Sequence, residues 1–274
     1  MSERERLDQW QLDTSSAEAY ERYLVPLFFA PGAQYLIELS ALAAGERILD
    51  VACGTGIVAR SAAARVGVKG KVVGLDLNEG MLEVARTASS KIQPEIEWRR
   101  ADVRAIPMPE GAFDVVFCQQ GLQFFAERST ALLEMRRVLA PEGRLALSVM
   151  RPIERNPGYV ALAEALDKHV GPSAGAMMRS PFISLTTGGL RDLIAGAGFR
   201  DIRILFGVGP TRFPSVAELL RREAASSPLA APIAALNAGV RDALVRDLEG
   251  ALREYTDDEG VVFPTEVYFV TARR

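Results

Sequence analysis

Short apolar segments alternate with amphipathic segments through the middle of the chain. Segments at 47–51, 71–75, 95–99, 113–118 and 143–149 have the length of strands, and most are rich in β-branched residues. Between them, apolar residues recur at helical spacing over 57–65, 79–89 and 128–139, and the Ala-Pro-Glu-Gly run at 140–143 predicts a turn. Because alternating strands and helices build parallel sheets covered on both faces, the pattern predicts an α/β fold.

The pattern changes on either side of this core. Residues 15–43 are predicted to be helical, with interruptions at Pro26 and Pro31. After Met150 we expect a helix at 157–170, a loop at 171–181, a helix at 190–197, a strand at 200–206, a helical insert at about 215–254 and a last strand at 261–271. Helical inserts near the end of an α/β sheet commonly cover an active site.

These segments predict a division of the chain. Residues 1–44 form an N-terminal helical segment that contributes to a cap, and 45–150 form the ligand-binding core. Residues 151–184 form a helical insert, and 185–274 complete the core around the insert at about 215–254.

A glycine-rich turn follows the first predicted strand. Asp50 lies at the carboxyl end of that strand, Gly54 and Gly56 follow it, and a helix begins at 57. Glycine lets a ligand approach the backbone closely, and a helix start offers unpaired N–H groups and partial positive charge. A fixed carboxylate beside an anion-friendly backbone suits a zwitterion such as the amino acid end of a ligand.

The same turn has two other interpretations. Gly54, Gly56 and Ala59 also satisfy the dinucleotide pattern G-x-G-x-x-A, which alone is a weak signal. Asp50 argues against it, because a carboxylate near the turn would repel a pyrophosphate. A strand–turn–helix unit without any ligand is the third interpretation.

Acidic residues also follow the next two strands. Asp76 lies twenty residues after Gly56, where its carboxylate could accept hydrogen bonds from two ribose hydroxyls. Asp102 could accept a hydrogen bond from an adenine amine while Val103 packs on the ring. Because ligands of α/β sheets bind beyond the carboxyl ends of the strands, these acids are expected to act together. They describe a ligand with an amino acid end, a ribose and an adenine but no phosphate, which is S-adenosylmethionine.

Taken together, these motifs resemble a known family. The segments Leu-Asp-Val-Ala-Cys-Gly-Thr-Gly at 49–56, Gly-Leu-Asp-Leu-Asn at 74–78 with Met81, Ala-Asp at 101–102, Phe-Asp-Val-Val at 113–116 and the helix and strand at 135–145 carry the resemblance. The chain is similar to class I S-adenosylmethionine-dependent methyltransferases of the small-molecule type, related to the ubiquinone/menaquinone (methyltransferase type 11) family. The resemblance covers about 45–150 and is loose over 181–271.

The resemblance implies a fold and a set of cofactor contacts. The fold is a Rossmann-like seven-stranded sheet whose last strand is antiparallel, with helices on both faces and a helical cap. Asp50 and Gly54 would hold the methionine end, Asp76 the ribose, Asp102 with Val103 the adenine, and Met81 would pack on the adenosine. The full predicted set of cofactor-binding residues is Asp50, Ala52, Gly54, Gly56, Asp76, Leu77, Met81, Asp102, Val103, Gln119 and Tyr20.

Candidates for contacts with a methyl acceptor are fewer. His169 is the only histidine, and we expect either a catalytic base or a residue packed on the apolar face of its helix. Gln120, Gln123 and Arg151 are predicted substrate contacts, and a surface ion pair is the alternative for Arg151. Tyr20 and Tyr23 could face the sulfonium or pack in the core. Phenylalanines at 28, 29, 124 and 125 would line an apolar pocket or belong to the core.

Composition narrows the classes of partner. The chain has 274 residues, a net charge of −3 and a pI near 5.5, which give no electrostatic reason to expect nucleic acid. No apolar run is long enough for a membrane span, and residues 1–13 lack the apolar core of a signal peptide, so a cytoplasmic protein is expected. Two cysteines and one histidine do not favour a metal site. The oligomeric state, monomer or homodimer, stays open.

The sequence therefore predicts a methyltransferase that acts on a small, apolar or aromatic metabolite, such as a natural product or a quinone, by in-line displacement. Protein or RNA methylation is the second hypothesis, and a nucleotide-dependent oxidoreductase is a third from another class.

Overall fold

One sheet runs through the part of the chain that the computed structural model describes, residues 10–182 and 185–274. Its eight strands are β1 (Arg47–Val51), β2 (Lys71–Asp76), β3 (Ile96–Arg100), β4 (Phe113–Gln119), β5 (Leu139–Met150), β6 (Arg200–Phe213), β7 (Thr256–Asp257) and β8 (Gly260–Arg273). The order is β3-β2-β1-β4-β5-β8-β6, with β7 paired to β8. Strands β1 to β5 are parallel, and β8 is antiparallel to both β5 and β6. The expected α/β sheet with an antiparallel last strand is confirmed.

Helices cover the sheet and its carboxyl edge. They are α1 (Thr14–Leu24), α2 (Ala30–Ser40), α3 (Ile57–Val66), α4 (Glu79–Ser89), α5 (Arg128–Val138), α6 (Pro157–His169), α7 (Pro172–Arg179), α8 (Thr187–Gly196), α9 (Val216–Ala225), α10 (Ala230–Ala234) and α11 (Ala238–Ala251). A π-helical turn, Val25–Phe29, joins α1 to α2, so Pro26 does not break the helical path there. We call α6, α7 and α9 to α11 the cap.

The structure corrects the predicted loop at 171–181, which contains helix α7. Small residues and Pro172 suggested a loop, but proline is well tolerated in the first turn of a helix, where its missing N–H would have no intrahelical partner. Gly175 lets α7 approach α6 closely, because a Cβ there would lie 1.9 Å from the Asp167 carboxylate. Close packing on α6 therefore outweighs the weak local preference for a helix.

Two strand boundaries also differ from the prediction. Strand β6 continues to Phe213 because it pairs with β8 along its whole length, which overrides the poor strand propensity of Gly207, Gly209 and Pro210. At the start of β5, Leu139 pairs with Phe113 and Arg144 pairs with Val115, so the predicted turn at 140–143 is an irregularity within the strand. Strand β7 was not predicted at all.

The extension of β6 and β8 places the cap. Strand β5 ends at Met150, opposite Val267, whereas β6 and β8 continue to pair beyond that point as far as Phe213 and Val261. Phe213 and Phe263 of this extension are buried in one cluster with apolar residues of the cap helices. The cap is therefore anchored beyond the carboxyl end of β5, the edge at which ligands bind in α/β sheets.

Trp98 on β3 fills the space above two glycines. A Cβ on Gly74 would lie 2.2 Å from the Trp98 ring, and a Cβ on Gly56 would lie equally close. Contacts this short force a shift of the ring or of the backbone, so the glycines at 56 and 74 are required by packing.

We expect Gly74→Ala to lower the free energy of unfolding by about 1–3 kcal/mol, because the added methyl group overpacks the space held by Trp98. Gly196→Ala is the matched control, since its Cβ meets nothing within 4 Å and alanine favours the helix. Urea denaturation of both variants measures the difference. Equal stability of Gly74→Ala and the wild type would contradict this view of the packing.

Candidate active site

A cavity of about 270 Å³ opens at the carboxyl ends of β1, β2 and β4. This volume exceeds that of a few water molecules and suits an organic ligand. One wall comes from the loops after β1, β2, β3 and β4, and another from α1 and the π-helical turn. The cap supplies a third wall through α6, α7, α9 and the residues that follow α9. The cavity thus joins the expected cofactor region to the region of the predicted insert.

The glycine loop after β1 turns through backbone conformations that favour glycine. Gly54 and Ala52 both have left-handed φ values, 54° and 53°, and both line the cavity. The position of a Cβ on Gly54 is open, with nothing within 4 Å, so a ligand can approach its backbone. Gly56 was also predicted to contact the cofactor, but it faces Trp98 and does not line the cavity.

Asp50 lies beneath the glycine loop, not in the wall of the cavity. Its side chain is 1% exposed, and its Oδ2 accepts a hydrogen bond of 3.0 Å from the Ala59 N–H in the first turn of α3. Burial raises the pKa of this carboxyl to about 8, against the lowering effect of that hydrogen bond. Oδ1 has no hydrogen-bond partner among the described residues.

The Asp76 carboxylate ties two loops together. Its Oδ2 accepts a hydrogen bond from the Gly54 N–H at 2.7 Å, and its Oδ1 accepts one from the Asn78 N–H at 2.8 Å. Asp76 lines the cavity, and burial raises its pKa. Each carboxylate oxygen can accept a further hydrogen bond, so these backbone contacts leave capacity for ligand hydroxyls.

The third acid, Asp102, is held by a neighbouring arginine. It accepts a hydrogen bond from the Arg104 N–H at 2.8 Å and pairs with the Arg104 guanidinium, which lowers the pKa of the carboxyl. Asp102 still lines the cavity, together with Val103, Leu77 and Met81. These side chains thus lie where an adenosine group was expected.

Three glutamines, one at the end of β4 and two after it, line the cavity. Gln119 Nε2 donates to the Phe29 carbonyl at 2.9 Å and so fixes the π-helical turn. Gln123 Nε2 donates to Gln120 Oε1 at 2.8 Å, and Gln120 Nε2 donates to Ser148 Oγ at 3.2 Å. Within 10–182 and 185–274, Gln123 Oε1 is buried without a hydrogen-bond partner. That oxygen is free to accept a hydrogen bond from a ligand.

Aromatic side chains form much of the remaining wall. Tyr20 packs on Phe29 with ring centroids 4.7 Å apart, and burial raises its pKa, so the phenol stays neutral. The sequence left open whether the phenylalanines at 28, 29, 124 and 125 line a pocket or belong to the core, and all four line the cavity. Tyr23 does not, because its ring lies under the Arg221 guanidinium.

His169 and Arg151 lie away from the cavity wall. The Nε2 atom of His169 is 2.7 Å from Asp247 Oδ2, so the ring joins α6 to α11. Arg151 pairs with Glu266, and its guanidinium lies 4.2 Å from the centroid of Phe206. Each side chain is turned toward a carboxylate on a neighbouring element, and neither lines the cavity. The structure therefore does not bring the catalytic base expected at 169 or the substrate contact expected at 151 to the cavity, and Arg151 forms an ion pair, the alternative that the sequence left open.

The polar residues by which the cap lines the cavity were not predicted from the sequence. Tyr159, Glu223 and Ser226 line the cavity from α6, α9 and the turn after α9. A signal for Glu223 was present, because it continues the apolar positions 216, 219 and 220 of α9 at helical spacing. An acid within an apolar stripe indicates either a paired charge or a function.

The polar atoms beneath the glycine loop fit a ligand with an ammonium group. Asp50 Oδ1 and Thr55 Oγ1 are both buried without a partner in the described part of the chain. An ammonium, or a water molecule bound to it, would satisfy them, whereas a pyrophosphate would add negative charge beside two acids. The chemistry therefore fits the amino acid end of S-adenosylmethionine better than a dinucleotide.

Comparison with known proteins agrees with this fit. The family model for a methyltransferase domain matches residues 48–143. A ubiquinone/menaquinone biosynthesis C-methyltransferase of Ectopseudomonas mendocina is 36% identical over 138 residues, which are 50% of this chain and 52% of that protein. The chain spans about half the length of the curated relatives it matches.

Solved structures show similarity of the fold. A phosphoethanolamine N-methyltransferase 2 of Haemonchus contortus, solved with S-adenosylhomocysteine, gives a TM-score of 0.62 at 21% identity. The match covers 100% of this chain and 60% of the Haemonchus chain. The [4+2]-cyclase SpnF gives 0.53 at 21% identity, with 89% of this chain and 80% of its own covered. Because one neighbour is a cyclase, the fold alone does not decide the reaction.

No helix within the described residues is long and apolar enough to cross a membrane. In the same part of the chain, no cluster of three His, Cys, Asp or Glu side chains has the arrangement of a metal site.

We expect Asp50→Asn to stabilise the ligand-free protein at alkaline pH. The folded-state pKa of Asp50 is raised to about 8, so the wild type loses stability as the pH rises from the unfolded-state value toward 8. The amide of the variant does not ionise. The unfolding free energy of the variant relative to that of the wild type should therefore be about 2–4 kcal/mol higher near pH 8 than near pH 4.

Urea denaturation at both pH values tests this expectation. Asp114→Asn is the matched control, because Asp114 pairs with Arg47 and its pKa is lowered. A stability difference between Asp50→Asn and the wild type that does not change with pH would contradict the buried, neutral carboxyl.

Proposed function

We propose that the protein is a class I S-adenosylmethionine-dependent methyltransferase, related to the ubiquinone/menaquinone methyltransferases, that methylates a small, apolar acceptor bound beside the cap. The match of residues 48–143 to the family model for a methyltransferase domain supports this proposal. One observation carries the proposal. A single cavity joins the acids and the glycine loop of the domain to an aromatic wall and to polar groups of the cap. Donor and acceptor would therefore meet inside one volume.

The residues of the domain would hold the methyl donor. Asp76, fixed by the N–H groups of Gly54 and Asn78, would accept hydrogen bonds from the ribose hydroxyls. Val103 and Met81 would pack on the adenosine, and Asp102 would face the adenine amine. Asp50 would act from below the loop, through its unpartnered Oδ1. When bound, S-adenosylmethionine supplies a methyl group on a positively charged sulfur.

The remaining wall would position the acceptor. The aromatic side chains of the π-helical turn and of the loop after β4 suit a flat, apolar molecule and exclude water from it. Alignment of the acceptor atom with the methyl group is the main requirement of an in-line displacement. The curated relatives are named as C-methyltransferases of ubiquinone and menaquinone biosynthesis, which supports a quinone-like or phenolic acceptor.

We expect Asp76→Asn to weaken the binding of S-adenosylhomocysteine by about 1–3 kcal/mol, because it removes charge-assisted hydrogen bonds and weakens the link to Gly54. Isothermal titration calorimetry of the variant, with Asp114→Asn as the control, gives the difference. A folded Asp76→Asn protein that binds with wild-type affinity would remove Asp76 from the site. Binding of NAD without any response to S-adenosylhomocysteine would overturn the proposed donor.

An acceptor screen tests the reaction itself. The protein is incubated with S-adenosylmethionine and a panel of phenols, quinols, peptides and RNA, and the formation of S-adenosylhomocysteine is measured. We expect apolar phenols or quinols to stimulate it. Stimulation by peptides or RNA alone, or conversion of a panel member without consumption of the donor, would contradict the proposal.

A further inference from the structure

A buried acid of the cap faces the cavity from helix α9. Val216, Leu219 and Leu220 form the buried stripe of that helix, and Glu223 lies in the same stripe with 7% of its surface exposed. Burying an unpaired carboxylate is costly, so its retention in an apolar stripe needs a reason. The lining of the cavity includes Glu223, which gives it access to a bound acceptor.

Only one oxygen of this carboxyl is occupied by the protein. The Tyr159 hydroxyl donates to Glu223 Oε1 at 3.1 Å, and Oε2 has no hydrogen bond among the described residues. Ser226, one turn along, supplies an independent sign of a ligand. Its side chain is buried and lines the cavity, and Oγ has no partner within the described ranges. Glu223 Oε2 and Ser226 Oγ can therefore each form a hydrogen bond with a bound ligand.

Few charged groups influence this carboxyl. Burial raises the pKa of Glu223 to about 7, and the Tyr159 hydrogen bond opposes the shift. On its own helix, Arg221 and Arg222 are engaged by Glu218 on the other side.

The elements packed against α9 add no free charge on the cavity side. Glu21 of α1 pairs with Arg60, and Arg212 of β6 pairs with Asp257. The charged side chains of α11 are exposed or, like Asp247, engaged by Lys168 and His169. Tyr159 and Tyr20, which also line the cavity, stay neutral because burial raises the pKa of each phenol. The ionisation of Glu223 is therefore governed by burial and by whatever occupies the cavity.

We propose that Glu223 is the general base of this protein and takes the proton of a hydroxyl group on the acceptor; this proposal rests on the proposed function. The Tyr159 hydroxyl holds the carboxyl in place through Oε1, which leaves Oε2 for the acceptor. The cavity thereby selects apolar molecules that carry an O–H group, such as phenols, over apolar molecules that carry none.

The step balances without any further reagent. The acceptor O–H bond breaks and its proton moves to the Glu223 carboxylate. The electron pair of that oxygen forms the new bond to the methyl carbon, and the bond from sulfur to that carbon breaks with its pair left on sulfur. The products are the methyl ether, a neutral thioether and protonated Glu223, which returns its proton to solvent.

The experiment measures the binding of two probes, 2-naphthol and 2-methoxynaphthalene, to protein saturated with S-adenosylhomocysteine. Calorimetry is run near pH 5.5 and near pH 8.5, where Glu223 is expected to be mostly neutral and mostly ionised, respectively, since its pKa is about 7. 2-Naphthol itself keeps its proton over this range. We expect its affinity to rise about 10-fold with pH, because a carboxylate accepts a stronger hydrogen bond than a carboxylic acid. The affinity of 2-methoxynaphthalene should not change.

Two variants of the same helix isolate the residue. Glu223→Gln keeps the shape of the side chain and should abolish the pH dependence, whereas Glu218→Gln, on the outer face, should retain it. Once an acceptor is known, Glu223→Gln should lower kcat by about 100-fold or more and remove the rise of activity near pH 7.

Several outcomes would overturn the assignment. One is that 2-naphthol does not bind the wild type. A second is that its affinity for the wild type does not change with pH, or that Glu223→Gln keeps the pH dependence. A third is that 1-naphthylmethylammonium binds more tightly than 2-naphthol, which would indicate a cation site. The wild-type measurement stands even if Glu223→Gln does not fold. Failure of the protein to bind S-adenosylhomocysteine would instead reject the proposed function, so the two failures are distinguishable.

Discussion

The arrangement of the site depends on one carboxylate, that of Asp76. By accepting hydrogen bonds from the Gly54 and Asn78 N–H groups, it joins the loop after β1 to the loop after β2 and sets the shape of the cavity between them. Asp50 supports the same loop from below through the Ala59 N–H. Asp50 is buried and Asp76 is partly buried, and desolvation raises the pKa of both carboxyls, so the ligand-free protein bears a cost in stability for a site that a ligand can satisfy.

The sequence predicts the core of the fold well because local and global preferences agree there. Strand β1 and helix α4 have the predicted bounds, and acids at strand ends fall beside the cavity because parallel strands end at a common edge. The prediction fails where tertiary contacts decide. Strand β6 extends through glycines and a proline only because β8 pairs with it, and α7 forms against α6.

In the candidate site, too, some residues are predicted from the sequence, and others depend on tertiary contacts. Asp76, Asp102, Val103 and Gln119 line the cavity, as positions at or just after strand ends would, and Tyr20 lines it from α1. His169 is a candidate only as the single histidine of the chain, but the rarity of a residue type says nothing about its orientation, and a hydrogen bond with Asp247 holds its ring away from the cavity. Glu223 could not be placed from the sequence, because its access to the cavity depends on how the cap docks on the extension of β6 and β8.

A crystal structure with S-adenosylhomocysteine would locate the donor relative to both walls of the cavity. We expect the ribose hydroxyls within hydrogen-bond distance of Asp76, the adenine against Val103, and the sulfur directed toward the part of the cavity that Glu223 and Tyr159 line. A ligand bound outside this cavity, or one with its ribose away from Asp76 and its sulfur turned from the cap, would contradict this expectation.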